Sequence, residues 1–343
     1  MRIPSQVQRR PKANTLRYWR YSVRLTLCLF FASSLLCSQV AFAQTSQART
    51  PQPTNQELWK RLTARSPWVF LGDSNTYSGG YVAILDAWMQ DSENPKLLNL
   101  GVSSETASGL SEVDHPFKRP CVHERLNELL ARVEPGVVFI CYGMNDGIYQ
   151  PPRAENMQAY KKGMMRLAAA VHQSGAELVC ITPPIFEPEP VKKRDRIGPS
   201  ENGRYAWFAP AADYDRVLEE QTQWCMTNQI RAATVIDIRS MLHQSKKTLR
   251  ETDPSFNFSK DGVHFGAVAH GLIAEKILAE LGAPAELRAN YPQKAAIDAA
   301  TEKNKILRDA YLSALGKNRP GLPAGLPIWV AEQKAKSIEE RSQ

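Results

Sequence analysis

The segment Trp68-Val69-Phe70-Leu71-Gly72-Asp73-Ser74-Asn75 decides how the rest of the chain is read. A short apolar run ends abruptly at Gly72-Asp73, and a helix-like stretch follows at 81–90. That order predicts a buried strand, a tight turn and a helix. Ser74 then falls at the carboxyl end of the strand, where open α/β sheets bind their ligands. By itself such a serine is most often a helix cap. Its meaning depends on what else the chain brings to the same edge.

Outward from this segment the pattern repeats. Apolar, strand-like runs occur at 97–100, 136–142, 177–182 and 234–238. Helical spacing is seen at 57–64, 121–133, 154–172, 214–229 and 268–281. Continuously apolar strands alternating with helices predict a parallel sheet covered on both faces. The fold class expected is α/β, a three-layer α/β/α sandwich with a five-stranded parallel sheet. Residues 183–210 interrupt the rhythm with a Pro-rich, then charged, then aromatic stretch, expected to wall or cover the site edge. Residues 284–343 read as a helical extension packed on the domain, helical at 295–315 and 328–341 with an extended 320–327 between them.

The formal charge of +8 over 343 residues is carried by the amino terminus. Residues 1–43 hold seven basic residues and no acid, and without them 36 basic face 35 acidic residues. The basic pI therefore gives no sign of a nucleic-acid partner. A basic region, the apolar run 25–36 and the small-x-small site Ala41-Phe42-Ala43 form a secretory signal-peptide pattern. The run is short for a membrane span, and Leu36 before Cys37 does not suit lipoprotein processing. The expectation is cleavage after Ala43, export to the periplasm or beyond, a disordered linker over 44–56, and no stable membrane insertion. Of the remaining cysteines, Cys141 and Cys180 lie in strand-like runs as buried thiols, while Cys121 and Cys225 are left open.

Three further stretches fall on the edge of Ser74: Asn99-Leu100-Gly101-Val102-Ser103-Ser104-Glu105-Thr106, Gly143-Met144-Asn145-Asp146 and Asp261-Gly262-Val263-His264. Serine needs a base to become a nucleophile. Histidine titrates near neutrality, and an aspartate three residues away can orient its ring. With these four ordered blocks, residues 66–282 resemble the SGNH hydrolases, the GDSL esterase/lipase superfamily. The resemblance implies the flavodoxin-like sandwich, Ser74, Asp261 and His264 as catalytic residues, and no cofactor. It implies oxyanion donors in the Ser74 backbone, a backbone N–H of the second block, and the Asn145 amide. The family's usual second block is Gly-x-Ser-Gly-x-Thr. Here its later glycine is Ser104, assigned as the donor, with Gly101 as the alternative. Ser104 would be strained if the loop needs a positive φ. Asn75 replaces the family's leucine and is given no direct chemical role.

His115, Cys121 and His123 lie close in sequence, but no ligand pattern accompanies them, and no metal is assigned. His115, Tyr205 and Trp207 are expected instead as substrate-binding residues. No GxGxxG, Walker A or GxSxG motif occurs. The function expected is an exported ester hydrolase with an acyl-enzyme intermediate, its substrate a small ester or acetylated saccharide. Alternatives are a lysophospholipase or lipase, acyl transfer to a sugar, and a non-catalytic glycan-binding module. Nothing in the sequence speaks to oligomeric state.

Overall fold

The computed structural model describes residues 54–90, 94–316 and 319–342. The expected signal peptide, its cleavage site and the linker as far as Pro53 lie outside the described residues. Thr54, at the end of that expected linker, caps α1 (Asn55–Thr63) in a reciprocal box with Glu57, so the helix begins two residues earlier than the sequence pattern predicts.

Five strands form one parallel sheet: β1 (Trp68–Gly72), β2 (Leu97–Asn99), β3 (Val137–Cys141), β4 (Glu177–Ile181) and β5 (Thr234–Ile236). Their order is β2-β1-β3-β4-β5. Successive side chains of a strand point to opposite faces, and here both faces are buried. Trp68, Phe70, Phe139, Val179 and Ile236 face one layer, and Val69, Leu71, Val138, Ile140 and Leu178 the other. This two-sided burial explains why the strands read as unbroken apolar runs. The first layer holds α1, α3 (Gly80–Trp88) and α9 (Ala267–Leu281), whose Leu62, Leu85, Ile273 and Ile277 are buried on it. The second holds α4 (Leu126–Val133), α5 (Ala154–Gln173) and α7 (Tyr214–Met226), through Leu129, Tyr160, Leu167 and Trp224.

The sheet order sets the position of the site. The chain leaves β1 toward β2 on one side and reaches β3 on the other, so a crevice opens beyond their carboxyl ends. The short helix α2 (Ser74–Ser78) begins in this crevice.

Three local expectations change, and the state of the two cysteines left open is added. The fifth strand stops at Ile236, because Asp237 caps an unforeseen helix, α8 (Ile238–Thr252), by accepting from Ser240 N–H at 3.0 Å. That helix is mostly polar and buries little beyond Ile238, Arg239 and Leu242, so its apolar signal is faint. The helix expected over 121–133 is a 3-10 turn (Val122–Glu124) followed by α4, and it breaks where Arg125 turns inward to Glu105. Residues 183–210 carry a helical turn, α6 (Pro188–Lys192), with proline at its start. Cys121, Cys141, Cys180 and Cys225 are all buried free thiols.

Beyond α10 (Ala285–Ala289), α11 (Lys294–Ala314) lies on α3 and β2, and α12 (Ile328–Ser342) lies on α11. Small residues, Ala83 and Ala87 against Ala300, let α3 and α11 approach closely. Beside them the buried Lys303 ammonium contacts the Asp86 carboxylate at 2.8 Å and Glu339 at 2.8 Å. Asn304 donates to the same Asp86 at 2.9 Å. Removing one member of a buried ion pair costs more than replacing both members with apolar residues. Asp86→Ala should therefore destabilise the chain by about 3 kcal/mol, while Asp86→Leu with Lys303→Met restores much of the loss. Denaturant midpoints of the parent and the two variants check this, and a double variant no more stable than Asp86→Ala would contradict it.

Candidate active site

Ser74 follows directly from the end of β1. Asp73 caps α2 by accepting from Asn75 N–H at 3.0 Å, which leaves Ser74 as the first helical residue. Its backbone N–H therefore has no acceptor within the helix. The Asp73 carboxyl is pushed up to about 6 by burial.

The structure brings Ser74, His264 and Asp261 together. His264 Nε2 lies 2.9 Å from Ser74 Oγ, and its Nδ1 lies 2.7 Å from Asp261 Oδ2. With Nδ1–H donating to the carboxylate, Nε2 is the acceptor for the serine hydroxyl. The other Asp261 oxygen accepts from the N–H groups of Val263 at 3.0 Å and His264 at 2.8 Å, and from Ser259 Oγ at 2.9 Å. Burial raises the Asp261 carboxyl, but the hydrogen bonds from the His264 ring and from the His264 and Val263 backbone outweigh it and hold the group well below its usual range. His264 is raised, chiefly by its hydrogen bond to Asp261, with partial burial opposing.

Two residues that the sequence reading left aside hold this loop. Asn75 Nδ2 donates to the Val263 carbonyl at 3.0 Å, and Asn75 Oδ1 accepts from Phe265 N–H at 3.2 Å. The amide thus bridges the serine turn to both sides of His264. Glu187, buried just past β4, accepts from Phe258 N–H at 3.2 Å and Ser259 N–H at 2.7 Å. Lys246 on α8 lies 2.8 Å from the same carboxylate. Asn75 stood out in the sequence as a departure from the family pattern; Glu187 lay unmarked in the Pro-rich stretch.

The second and third blocks are joined on the opposite side of Ser74. Ser104 has φ 67°, the left-handed region expected of the glycine it replaces. Its carbonyl accepts from Arg119 at 3.2 Å, and Arg119 is gripped by Glu112 at 2.5 and 2.6 Å. No hydrogen bond to Ser104 N–H is found among the described residues, and Ser104 borders the pocket. Gly101 is a different case. Its N–H donates to Asn99 Oδ1 at 3.0 Å, and a Cβ there would lie 2.6 Å from the Tyr77 backbone nitrogen. Gly101 thus serves close packing beneath α2, and its N–H is already engaged. Asn145 donates one amide hydrogen to the Glu105 carbonyl at 3.2 Å and accepts from Tyr149 OH at 3.1 Å. No second acceptor for its amide is found among the described residues, and Asn145 borders the pocket. Asp146 Oδ1 receives the Ala107 and Ser108 N–H groups at 2.9 and 2.7 Å.

Ser74, Ser104, Asn145 and His264 open into a pocket of about 380 Å³. Of the three residues expected to bind substrate, His115 and Trp207 line this pocket; Tyr205 does not, and packs instead against the buried cluster of Met144, Tyr149 and Tyr214. The pocket wall also includes Phe117, Arg119, Tyr149, Arg194, Arg196 and Arg319, none of which the sequence reading assigned to substrate. A wider depression of about 540 Å³ shares Trp207 but contains no histidine. His115 Nδ1 and His123 Nε2 each pair with a backbone carbonyl, of Phe117 and Ala107, and do not converge.

A family model described as the GDSL-like lipase/acylhydrolase family matches residues 70–272. Among solved structures, the chain is similar to LAE5, an alpha/beta hydrolase from the metagenome of Lake Arreo, Spain, at 20% identity, covering 63% of this chain and 95% of that one, with a TM-score of 0.43. It is also similar to Axe2, an acetylxylan esterase from Geobacillus stearothermophilus, at 19% identity, with 63% and 94% covered and a TM-score of 0.42. A comparison with curated proteins finds no match.

The raised His264 sets a pH dependence. Only the neutral ring can accept the serine proton, so ester turnover should fall as pH drops through the His264 value, placing the acid limb above the ordinary histidine value of about 6.5. Asp261→Asn removes the charge that favours the imidazolium. The limb should then move to lower pH and the maximal rate should fall. A pH–rate profile for both proteins checks this, and a limb that stays or moves upward in Asp261→Asn contradicts it.

Proposed function

The chain belongs to the GDSL-like lipase/acylhydrolase family, and on that premise we propose that this ester-bond hydrolase works through an acyl-Ser74 intermediate on acetylated saccharides outside the cytoplasm. The observation that carries the reading is the continuous Ser74–His264–Asp261 hydrogen-bonded chain at the pocket floor. Ser74 Oγ attacks the ester carbonyl while His264 Nε2 takes its proton. The negative charge that develops on the carbonyl oxygen is met by the N–H groups of Ser74 and Ser104 and by the Asn145 amide. Collapse expels the alcohol, which leaves with the proton from His264. Water then attacks the acyl-serine with His264 again as base, releasing the acid and restoring Ser74.

The short acyl group and the saccharide alcohol are supported by the walls. The pocket is small, and serine, histidine, arginine and aspartate side chains border much of it. A long-chain lipase would need an extended apolar groove. Trp207 is about half exposed at the rim, where its ring can lie against a sugar face. No described helix is long and apolar enough to cross a membrane. Export is supported by the basic, apolar and small-x-small order of residues 1–43. A purely binding module would have no use for a histidine held between a serine and a carboxylate.

The test is release of acetate against longer acids from a panel of esters. Acetyl esters of sugars should turn over fastest. Ser74→Ala should abolish release while the chain stays folded. Asn145→Ala should lower kcat by on the order of a hundredfold with KM little changed, since the amide acts mainly on transition-state charge. A preference for long acyl chains, or turnover that survives Ser74→Ala, would reject the reading.

A further inference from the structure

The charge around the pocket is one-sided. Four arginines reach it from three parts of the chain: Arg119 after the second block, Arg194 and Arg196 after α6, and Arg319 from the carboxyl-terminal extension. Arg119 is neutralised by its two-point grip on Glu112. The other three have no carboxylate partner among the described residues. Nearby acids are already engaged: Asp261 with His264, Asp114 with Arg204 at 3.1 Å. Asp195 borders the neighbouring depression and pairs with neither adjacent arginine.

Arg319 is the most telling of these. Its guanidinium lies over the Phe117 ring, 5.0 Å from the centroid, and one nitrogen donates to the Pro320 carbonyl at 2.9 Å. Its Nε is buried and has no hydrogen-bond partner among the described residues. A guanidinium fixed on an aromatic face with an unmet N–H suits an acceptor supplied by a ligand. The combined positive field is also felt by His115 on the same wall, which is lowered by burial first and then by Arg119, with Arg319 adding to the effect.

We infer that the pocket takes an ester whose alcohol part carries an anionic oxygen group, with Arg194, Arg196 and Arg319 holding that group while Ser74 attacks the acyl carbon beside it. This rests on the ester-hydrolase reading above and narrows its substrate to an acidic saccharide. Guanidinium forks pair with planar or tetrahedral oxyanions, so carboxylate and phosphate share the chemistry. Arg194 and Arg196 are exposed, free to be drawn over a bound anion. The carboxyl-terminal extension, which lies beyond the family match, thereby becomes part of the substrate site through Arg319.

The experiment compares kcat/KM of the full chain on three acetyl esters: the methyl glycoside of a hexuronic acid with its carboxylate free, the matching neutral methyl hexoside and a hexose phosphate. An anionic ester should exceed the neutral one by roughly tenfold or more, mainly through KM, and the margin should shrink as salt rises. Whichever anionic arm leads identifies the group. The margin should fall in Arg194→Gln/Arg196→Gln and fall further when Arg319→Gln is added. Because the readout is a ratio between substrates, a general loss of folded protein does not mimic it. Equal kcat/KM on all three esters, or a margin indifferent to both salt and the arginine variants, overturns the inference. Ser74→Ala separates the two levels: if it still releases acetate the acyl-Ser74 reading fails, whereas an inactive Ser74→Ala with no charge preference in the parent fails the acidic substrate alone.

Discussion

Ser74 and His264 are 190 residues apart in sequence, and the site exists only if their side chains are held within one hydrogen bond of each other. The parallel sheet makes the coarse placement by bringing the carboxyl end of β1 to the same edge as the 261–264 loop. The fine placement falls to Asn75, whose amide uses its donor and its acceptor to fasten the serine turn to residues on either side of His264. A leucine there could pack but could not set this register. The departure from the usual family residue is thus a change in how the two loops are fixed. Glu187 and Lys246 support the far side of the same loop, giving the Pro-rich stretch after β4 a positioning role beneath the reactive residues.

On the other side of Ser74, the site rests on charges buried deep in the fold. Glu105 accepts from Arg125 Nε and Nη2 at 2.7 Å and from Tyr142 OH at 2.7 Å, and Arg125 Nη2 also donates to the Leu100 carbonyl at 2.8 Å. Such a network adds little net stability over apolar packing, but it is very costly to break in part. What it fixes is the path of residues 100–106, and with it the left-handed turn at Ser104. Asp146, raised to about 6 chiefly by burial, clamps the next two backbone N–H groups onto the end of the third block. The backbone N–H groups along this loop are therefore held in place by the fold itself, the arrangement that the proposed oxyanion role would require.

The carboxyl-terminal extension is joined to this machinery at close range. Arg308 on α11 stacks over the Tyr77 ring, 3.8 Å from its centroid, and donates to the Tyr77 carbonyl at 2.6 Å. Tyr77 belongs to α2, the helix that Ser74 begins. The extension thus braces the serine helix from behind, while Arg319 reaches the pocket wall. Both arginines act through contacts with an aromatic ring, which holds a planar guanidinium in a defined orientation.

Much of the framework was legible in the chain itself. Two-sided burial writes parallel strands as unbroken apolar runs, and all five were located from that signal; the four blocks were placed against them, three after strands and the last before α9. Ser74, His264 and Asp261 could be named because their chemistry requires those residue types in loops of known order. What escaped was whatever carries no periodic apolar signal. The helix α8 is mostly polar. The inward turn of Arg125 depends on a carboxylate 20 residues earlier. The misplacement of Tyr205, the packing role of Gly101 and the arrival of Arg319 at the pocket each depend on contacts between distant segments. Local sequence specifies the period and the turn chemistry of each element, because those arise from neighbouring residues. Which side chains meet at a wall, and which charges go unanswered there, is decided only when the layers close on one another.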